Sequence, residues 1–343
     1  MSCVKRRYPI TPPPTLADVS RLALLASLLI FGALVVTGCG GSDDGDSAAT
    51  SAQTATAEPA DFPEGNGQTL ETFAADLPEG PVFAPSTSVM RVGDNRVGFA
   101  LFDVARKQVD ATSAAVYTAR PNGTDVQGPF IARQESINVK PQYRSAQAAA
   151  DLAEGDKIWV ATVPFDKRGS RTMFALAEVD GELQQTSPFE FKVGTKGGPP
   201  DVGEKAIDIN TQTEADVGGD LEQLSTRVPP PKEMLQTNFS DVLGKEPVVL
   251  QFATPALCQT RVCGPVVDIA EQVRAENGDG VTFIQQEIYN DNDVNKGFRP
   301  QVGAWGLPTE PWIFVIDRNG KVVERFEGAF SAEELTEAVK KVQ

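Results

Sequence analysis

The sequence predicts a multidomain chain: an all-β sandwich followed by an α/β domain, both behind an N-terminal export segment. Three observations carry this. Short strand-like runs separated by turn signals fill residues 81–194. Strand-like runs and helical apolar stripes alternate after residue 238. An uncharged apolar run at 22–38 follows Lys5, Arg6, Arg7 and Arg21.

Basic, then apolar, then small residues is the layout of a secretory signal. The run closes on "VVTGC", which resembles the bacterial lipobox, where a diacylglycerol is attached to the cysteine and cleavage falls just before it. Cys39 is the matching position. The resemblance implies a signal peptide at 1–38, which removes Cys3, and a lipid anchor on the extracytoplasmic face of the cell membrane. The alternative is an uncleaved span, but 17 apolar residues sit at the short limit for one. From Gly40 to Met90 there are nine acidic residues and no Lys or Arg. Rich in Gly, Ser, Ala, Thr and Pro at its start, the segment 39–80 is expected to be a disordered acidic tether.

Composition excludes several functions. The 343 residues contain no histidine, so His-based triads, proton shuttles and metal sites are ruled out. A net charge of −16 argues against nucleic acid, which needs a cationic footprint. No metal ligand set and no cofactor are expected. Chemistry must come from Cys, carboxylates, Lys, Tyr or backbone.

Within 81–194, strands are predicted at 96–104, 114–120, 158–165, 172–179 and 188–193. Turn signals include "PNG" at 121–123 and "DG" at 180–181. This rhythm resembles an immunoglobulin- or fibronectin-type sandwich. The module has no cysteine and no cluster of site residues, so it reads as a spacer or binding module. Residues 195–237 read as linker and irregular lead-in, with "GTKGGPPDVG" at 194–203 and "PPP" at 229–231.

From 238 to 343 the order is clearer. "PVVLQFA" (247–253) is a buried-type strand. Pro265 to Asn277 is predicted helical, with Val266, Ile269, Ala270 and Val273 on one stripe and Gly278 as the stop. A strand at 281–288 completes a βαβ unit, and 293–305 is expected to be a helix distorted by Pro300. Residues 312–317 and 321–328 form a hairpin across "RNG". Ser331 and Glu334 then form a capping box before the stripe Leu335, Ala338, Val339 and Val342.

Cys258 and Cys263 stand five apart before the first helix. On an ideal helix they would be about 140° apart and roughly 8 Å between Cα atoms. A disulfide needs about 7 Å or less and converging side chains. Gly264 and Pro265 are expected to break the helix, leaving 255–263 as a loop that can bring the thiols together.

The ensemble resembles the thioredoxin-like fold, of the TlpA- or peroxiredoxin-like redoxin kind. "VVLQFATPALCQTRVCGP" is similar to the strand, loop and helix that carry Cys-Gly-Pro-Cys, with Cys263-Gly264-Pro265 matching three positions and Val266 in place of the last. Pro311 matches the family's cis-proline. "TPALCQTRVC" is also close to peroxiredoxins with a second cysteine five residues on, but Thr254 lies one residue too far from Cys258. The resemblance implies catalytic roles for Cys258, Cys263 and Pro311, supported by Gly264, Pro265, Arg261 and Glu310. Gln251 occupies the position where thioredoxins often carry a buried acid. Copper chaperones of the Sco type share the fold, but their histidine cannot be supplied here.

The expected function is thiol–disulfide exchange outside the cytoplasm, with protein thiols or disulfides, or a membrane reductase, as partners. The helix N-terminus and Arg261 point to Cys263 as the attacking thiolate. The peroxiredoxin resemblance implies the reverse order. The alternatives are a non-enzymatic binding lipoprotein with a structural disulfide, and a peroxidase.

Overall fold

The computed structural model describes residues 57–151, 155–194, 197–258 and 262–343. The signal segment 1–38, Cys39, the first part of the tether and Arg261 lie outside these residues. All described residues fall in one compact unit. No helix among them is long and apolar enough to cross a membrane.

The first module is an eight-stranded sheet: β1 (Val82–Pro85), β2 (Gly93–Phe102), β3 (Ser113–Ala119), β4 (Gln127–Ser136), β5 (Lys157–Phe165), β6 (Gly169–Val179), β7 (Glu182–Gln185) and β8 (Phe189–Val193). The order is β1-β2-β5-β4-β3-β6-β7, with β8 also on β6. The five predicted strands are present, while β1, β4 and β7 were not foreseen. The expected two stacked sheets are one hydrogen-bonded sheet curled on itself. The reason is β4, whose first half pairs with β3 and second half with β5, Ala132 facing a partner on both. The curl encloses Val97, Phe99 and Leu101 of β2, Val116 of β3, Trp159 of β5 and Met173 of β6 in one core.

Residues 57–80, expected to belong to a disordered tether, are folded. Residues 57–80 fold onto the outer face of this sheet through a short helix, α1 (Leu70–Phe73). Phe62 and Phe73 are buried against Tyr117 and Phe174, and the Tyr117 hydroxyl donates to the Pro63 carbonyl at 2.7 Å. Two aromatic anchors outweigh the polar average of the segment.

A one-and-a-half-turn helix, α2 (Ala146–Asp151), lies between β4 and β5. The lead-in follows β8 as short 3-10 turns, and α3 (Phe239–Val242) opens the second module. That module is a four-stranded sheet of β9 (Val248–Phe252), β10 (Thr282–Gln286), β11 (Trp312–Ile316) and β12 (Val322–Glu327), in the order β10-β9-β11-β12. β9 and β10 are parallel; β11 is antiparallel to both β9 and β12. Helices α4 (Cys263–Asn277), α5 (Pro300–Ala304) and α6 (Ala332–Lys340) complete it. The strand order is the one the thioredoxin-like resemblance implies.

α4 begins two residues before the predicted Pro265. Pro265 is its third residue, a position whose N–H has no intrahelical partner, so proline fits without breaking anything. Pro300 likewise starts α5 instead of distorting a longer helix. The capping box at Ser331 and Glu334 is formed.

The two modules share a core. Ile137, Val139, Ile158 and Val160 of the first pack with Ile269 and Val273 of α4 and with Leu335 and Val339 of α6. Polar locks flank this seam. Arg96 of β2 holds the Glu334 carboxylate with two nitrogens at 2.8 and 2.7 Å. Glu327 accepts the Val89 N–H at 2.9 Å and the Thr309 hydroxyl at 2.6 Å. Behind α4, Arg227 Nε donates to buried Asp268 at 2.7 Å, and Ser145 donates to the same carboxylate through its N–H at 2.7 Å and its hydroxyl at 3.0 Å.

Candidate functional site

β9 is buried along its whole length and delivers the chain to a turn at 255–257, closed by Leu257 N–H to the Thr254 carbonyl at 3.2 Å. Cys258 follows the turn and is half-buried; Cys263 is the first residue of α4 and is fully buried. Both carry thiols. Their side chains are within hydrogen-bonding reach of each other, and Cys263 packs against Ala253 and Val267 with Cys258 beside it. Residues 259–261 of the loop expected to bring the two together lie outside the described residues. Gly264 and Pro265 are buried as the second and third residues of α4.

The expected thiolate at Cys263 is not what this geometry favours. Burial pushes the Cys263 thiol well above its ordinary range; Cys258 and the Glu310 carboxylate push the same way. The Thr254 N–H, which donates to the sulfur, opposes them. A helix terminus contributes about 0.3–1 kcal/mol, rarely as much as 2. Burial is the largest influence on Cys263, which is fully buried, and it disfavours the charged form. Burial therefore wins.

Pro311 is buried, and its peptide bond with Glu310 is cis. Glu310 is half-buried, and burial, then Cys258, then Glu287 push its carboxyl up to about 8. Glu310, Cys258 and Cys263 thus form one cluster of acids. Beside it opens a cleft of about 250 Å³, lined by Tyr289, Phe298, Val302, Leu307, Pro308 and Glu310. Tyr289 and Phe298 stack at 5.3 Å between ring centroids, and Phe298 is 63% exposed.

Gln251 is buried, and its amide donates to the Val266 carbonyl at 3.0 Å, tying β9 to the first turn of α4. Glu287, just past β10, is fully buried. It accepts the Thr226 N–H at 2.9 Å and the Thr226 hydroxyl at 3.0 Å on one oxygen, and the Ile288 N–H at 3.1 Å on the other. Sequence reasoning missed Glu287, Tyr289 and Thr226. The one available signal was a lone charge inside the strand-like run "FIQQEI". Among the described residues no group of three or more Cys, Asp or Glu is arranged to hold a metal.

No protein-family model and no curated protein matches the chain. Among solved structures it is similar to the thiol:disulfide interchange protein DsbE of Chlorobium tepidum, with 20% identity over 42% of this chain and 98% of that one, at a TM-score of 0.31. A thioredoxin-family thiol:disulfide interchange protein of Chlorobium tepidum TLS gives 16% identity over 43% and 98%, at 0.28. The Lin-41 filamin domain gives 12% identity over 31% and 82%, at 0.17. Likenesses this loose transfer no activity; the fold stated above rests on strand order and register.

Proposed function

We propose that the chain carries out thiol–disulfide exchange through Cys258 and Cys263. The observation that carries the reading is one accessible and one buried thiol side by side, next to Pro311 and an apolar cleft. Cys258, the more accessible member, attacks a sulfur of a partner disulfide. One new S–S bond forms, and the partner's other sulfur leaves as a thiolate and takes a proton. Cys263 then attacks Cys258, releasing the partner as a dithiol and leaving a Cys258–Cys263 disulfide. Two electrons pass from this chain to the partner; the reverse sequence oxidises a partner dithiol. Glu310, poised near 8, matches a thiol well enough to accept the Cys258 proton.

Cys263→Ser is expected to accumulate mixed disulfides with partner proteins, because nothing resolves them, and Cys258→Ser to accumulate none. Non-reducing gels of the two variants after thiol quenching decide it. Trapping by neither, with loss of thermal stability in both, would favour a structural disulfide in a binding protein. Trapping by Cys258→Ser alone would restore Cys263 as the attacker.

Anchoring through Cys39 belongs to the same reading and places exchange at the extracytoplasmic face of the membrane. Cys39→Ser is expected to move the protein from the membrane fraction to the soluble one. Retention after a carbonate wash would mean that the apolar segment spans the bilayer. An immunoglobulin-type origin for the first module is supported by β4, which passes between the two halves of the sheet, and by the parallel bridge Met90–Val193.

A further inference from the structure

Glu287 takes no part in the exchange just described, yet it is tied to the turn that carries Cys258. Thr226, in the lead-in, is the tie. Its hydroxyl donates to Glu287 at 3.0 Å and accepts the Ala256 N–H at 3.0 Å. Ala256 lies inside the 255–257 turn, two residues before Cys258. The lead-in is therefore a wall of the site, and the carboxyl beneath it is the post to which the turn is fixed.

An acceptor-only group suits this place. Three donors converge on the two carboxyl oxygens. An amide would set its own N–H against one of them. The charged and titratable neighbours are few. Glu310 faces Glu287 from the Pro311 loop and Tyr289 from the chain after β10. Arg299, ahead of α5, is near enough to feel the charge, but its guanidinium is engaged by Tyr289 O, Gln212 Oε1, Gln223 O and Asn292 Oδ1. The Thr254 hydroxyl is the remaining polar neighbour.

We propose that Glu287 is a positioning residue of the thiol site: through Thr226 it fixes the turn that carries Cys258. This rests on the exchange reading only in taking Cys258 as the reactive thiol.

Cys258 alkylation in the full chain tests this. Glu287→Gln is expected to speed it several-fold, because the amide sets an N–H against one of the three donors. An unchanged rate in a folded Glu287→Gln protein would overturn the proposal. Thr226→Val removes the tie and keeps the carboxyl; Cys258 alkylation is expected to speed up several-fold, with Thr226→Ser restoring the original rate. Equal rates in Thr226→Val and the parent would overturn it as well. Neither readout needs a partner, so failure of the trapping experiment and failure of this proposal are distinguishable.

Discussion

Arg227→Ala is expected to cost about 3–5 kcal/mol of stability, the range seen when one member of a buried ion pair is removed. Arg227 is 5% exposed and Asp268 not at all. The guanidinium also donates to the Pro229 carbonyl at 2.6 Å and the Tyr143 carbonyl at 2.7 Å, so one side chain joins the lead-in, the first module and α4. Its loss strands a carboxylate and two carbonyls. Lysine would not rescue it, because a point charge cannot serve three acceptors in a fork. The pH dependence has a definite sign. Burial already holds the Asp268 carboxyl above its usual range, and losing the cation raises it further. The folded variant then binds a proton more tightly than the unfolded chain, so its stability falls as pH rises between the two pKa values. The deficit should shrink as the buffer is acidified below neutrality. Urea denaturation at several pH values measures this; a loss under about 1 kcal/mol at pH 7 would mean the pair is no better than a surface one.

Alkylation of the folded dithiol is expected to separate the two cysteines by about 100-fold or more in rate. Cys258 is half-buried beside an open cleft, while Cys263 is fully buried and its thiol is pushed up. A buried, protonated thiol reacts only when the local structure opens, and opening of a core element costs several kcal/mol. Iodoacetamide labelling followed by peptide mass analysis gives both rates from one sample. Comparable rates would mean that the N-terminus of α4 opens readily, and the reasons for preferring Cys258 as the attacking thiol would be lost. Mild denaturant should accelerate Cys263 far more than Cys258.

Much of the second module was legible because its elements carry their own periodicity. The stripe Val266, Ile269, Ala270 and Val273 is buried as the 3.6-residue repeat requires, and the Ser331–Glu334 box marks the start of α6. Asp268 broke the pattern, since α4 is covered on a second side by the lead-in and by Ser145, which lies far away in sequence. In the first module β4 was missed. It contains Gly128 and Pro129, which argue against a strand, and its pairing is decided by two neighbours and not by its own alternation. At the site, the cysteines, Pro311 and Glu310 were visible through spacing and resemblance. Glu287 and Thr226 were not, because their partnership spans 61 residues and local propensity says nothing about it. The preference for a thiolate at Cys263 failed for a related reason: the helix terminus is visible in the sequence and the packing that buries it is not.

The seam between the modules also bears on how the chain acquires its fold. The bond from Arg96 to Glu334 closes a span of 238 residues. Until α4 is made, Ile137, Val139, Ile158 and Val160 have no cover from the second module, and until α6 is made that cover is incomplete. Contacts this distant in sequence slow folding, since a large loop must close before they give any return. A growing chain thus carries an unsatisfied apolar patch through most of its synthesis, and a chain stopped near residue 200 would carry it permanently. Such a patch invites aggregation or a chaperone. The apparent boundary at the Gly- and Pro-rich linker is therefore a poor place to divide the protein, and assembly is completed only when its last helix docks.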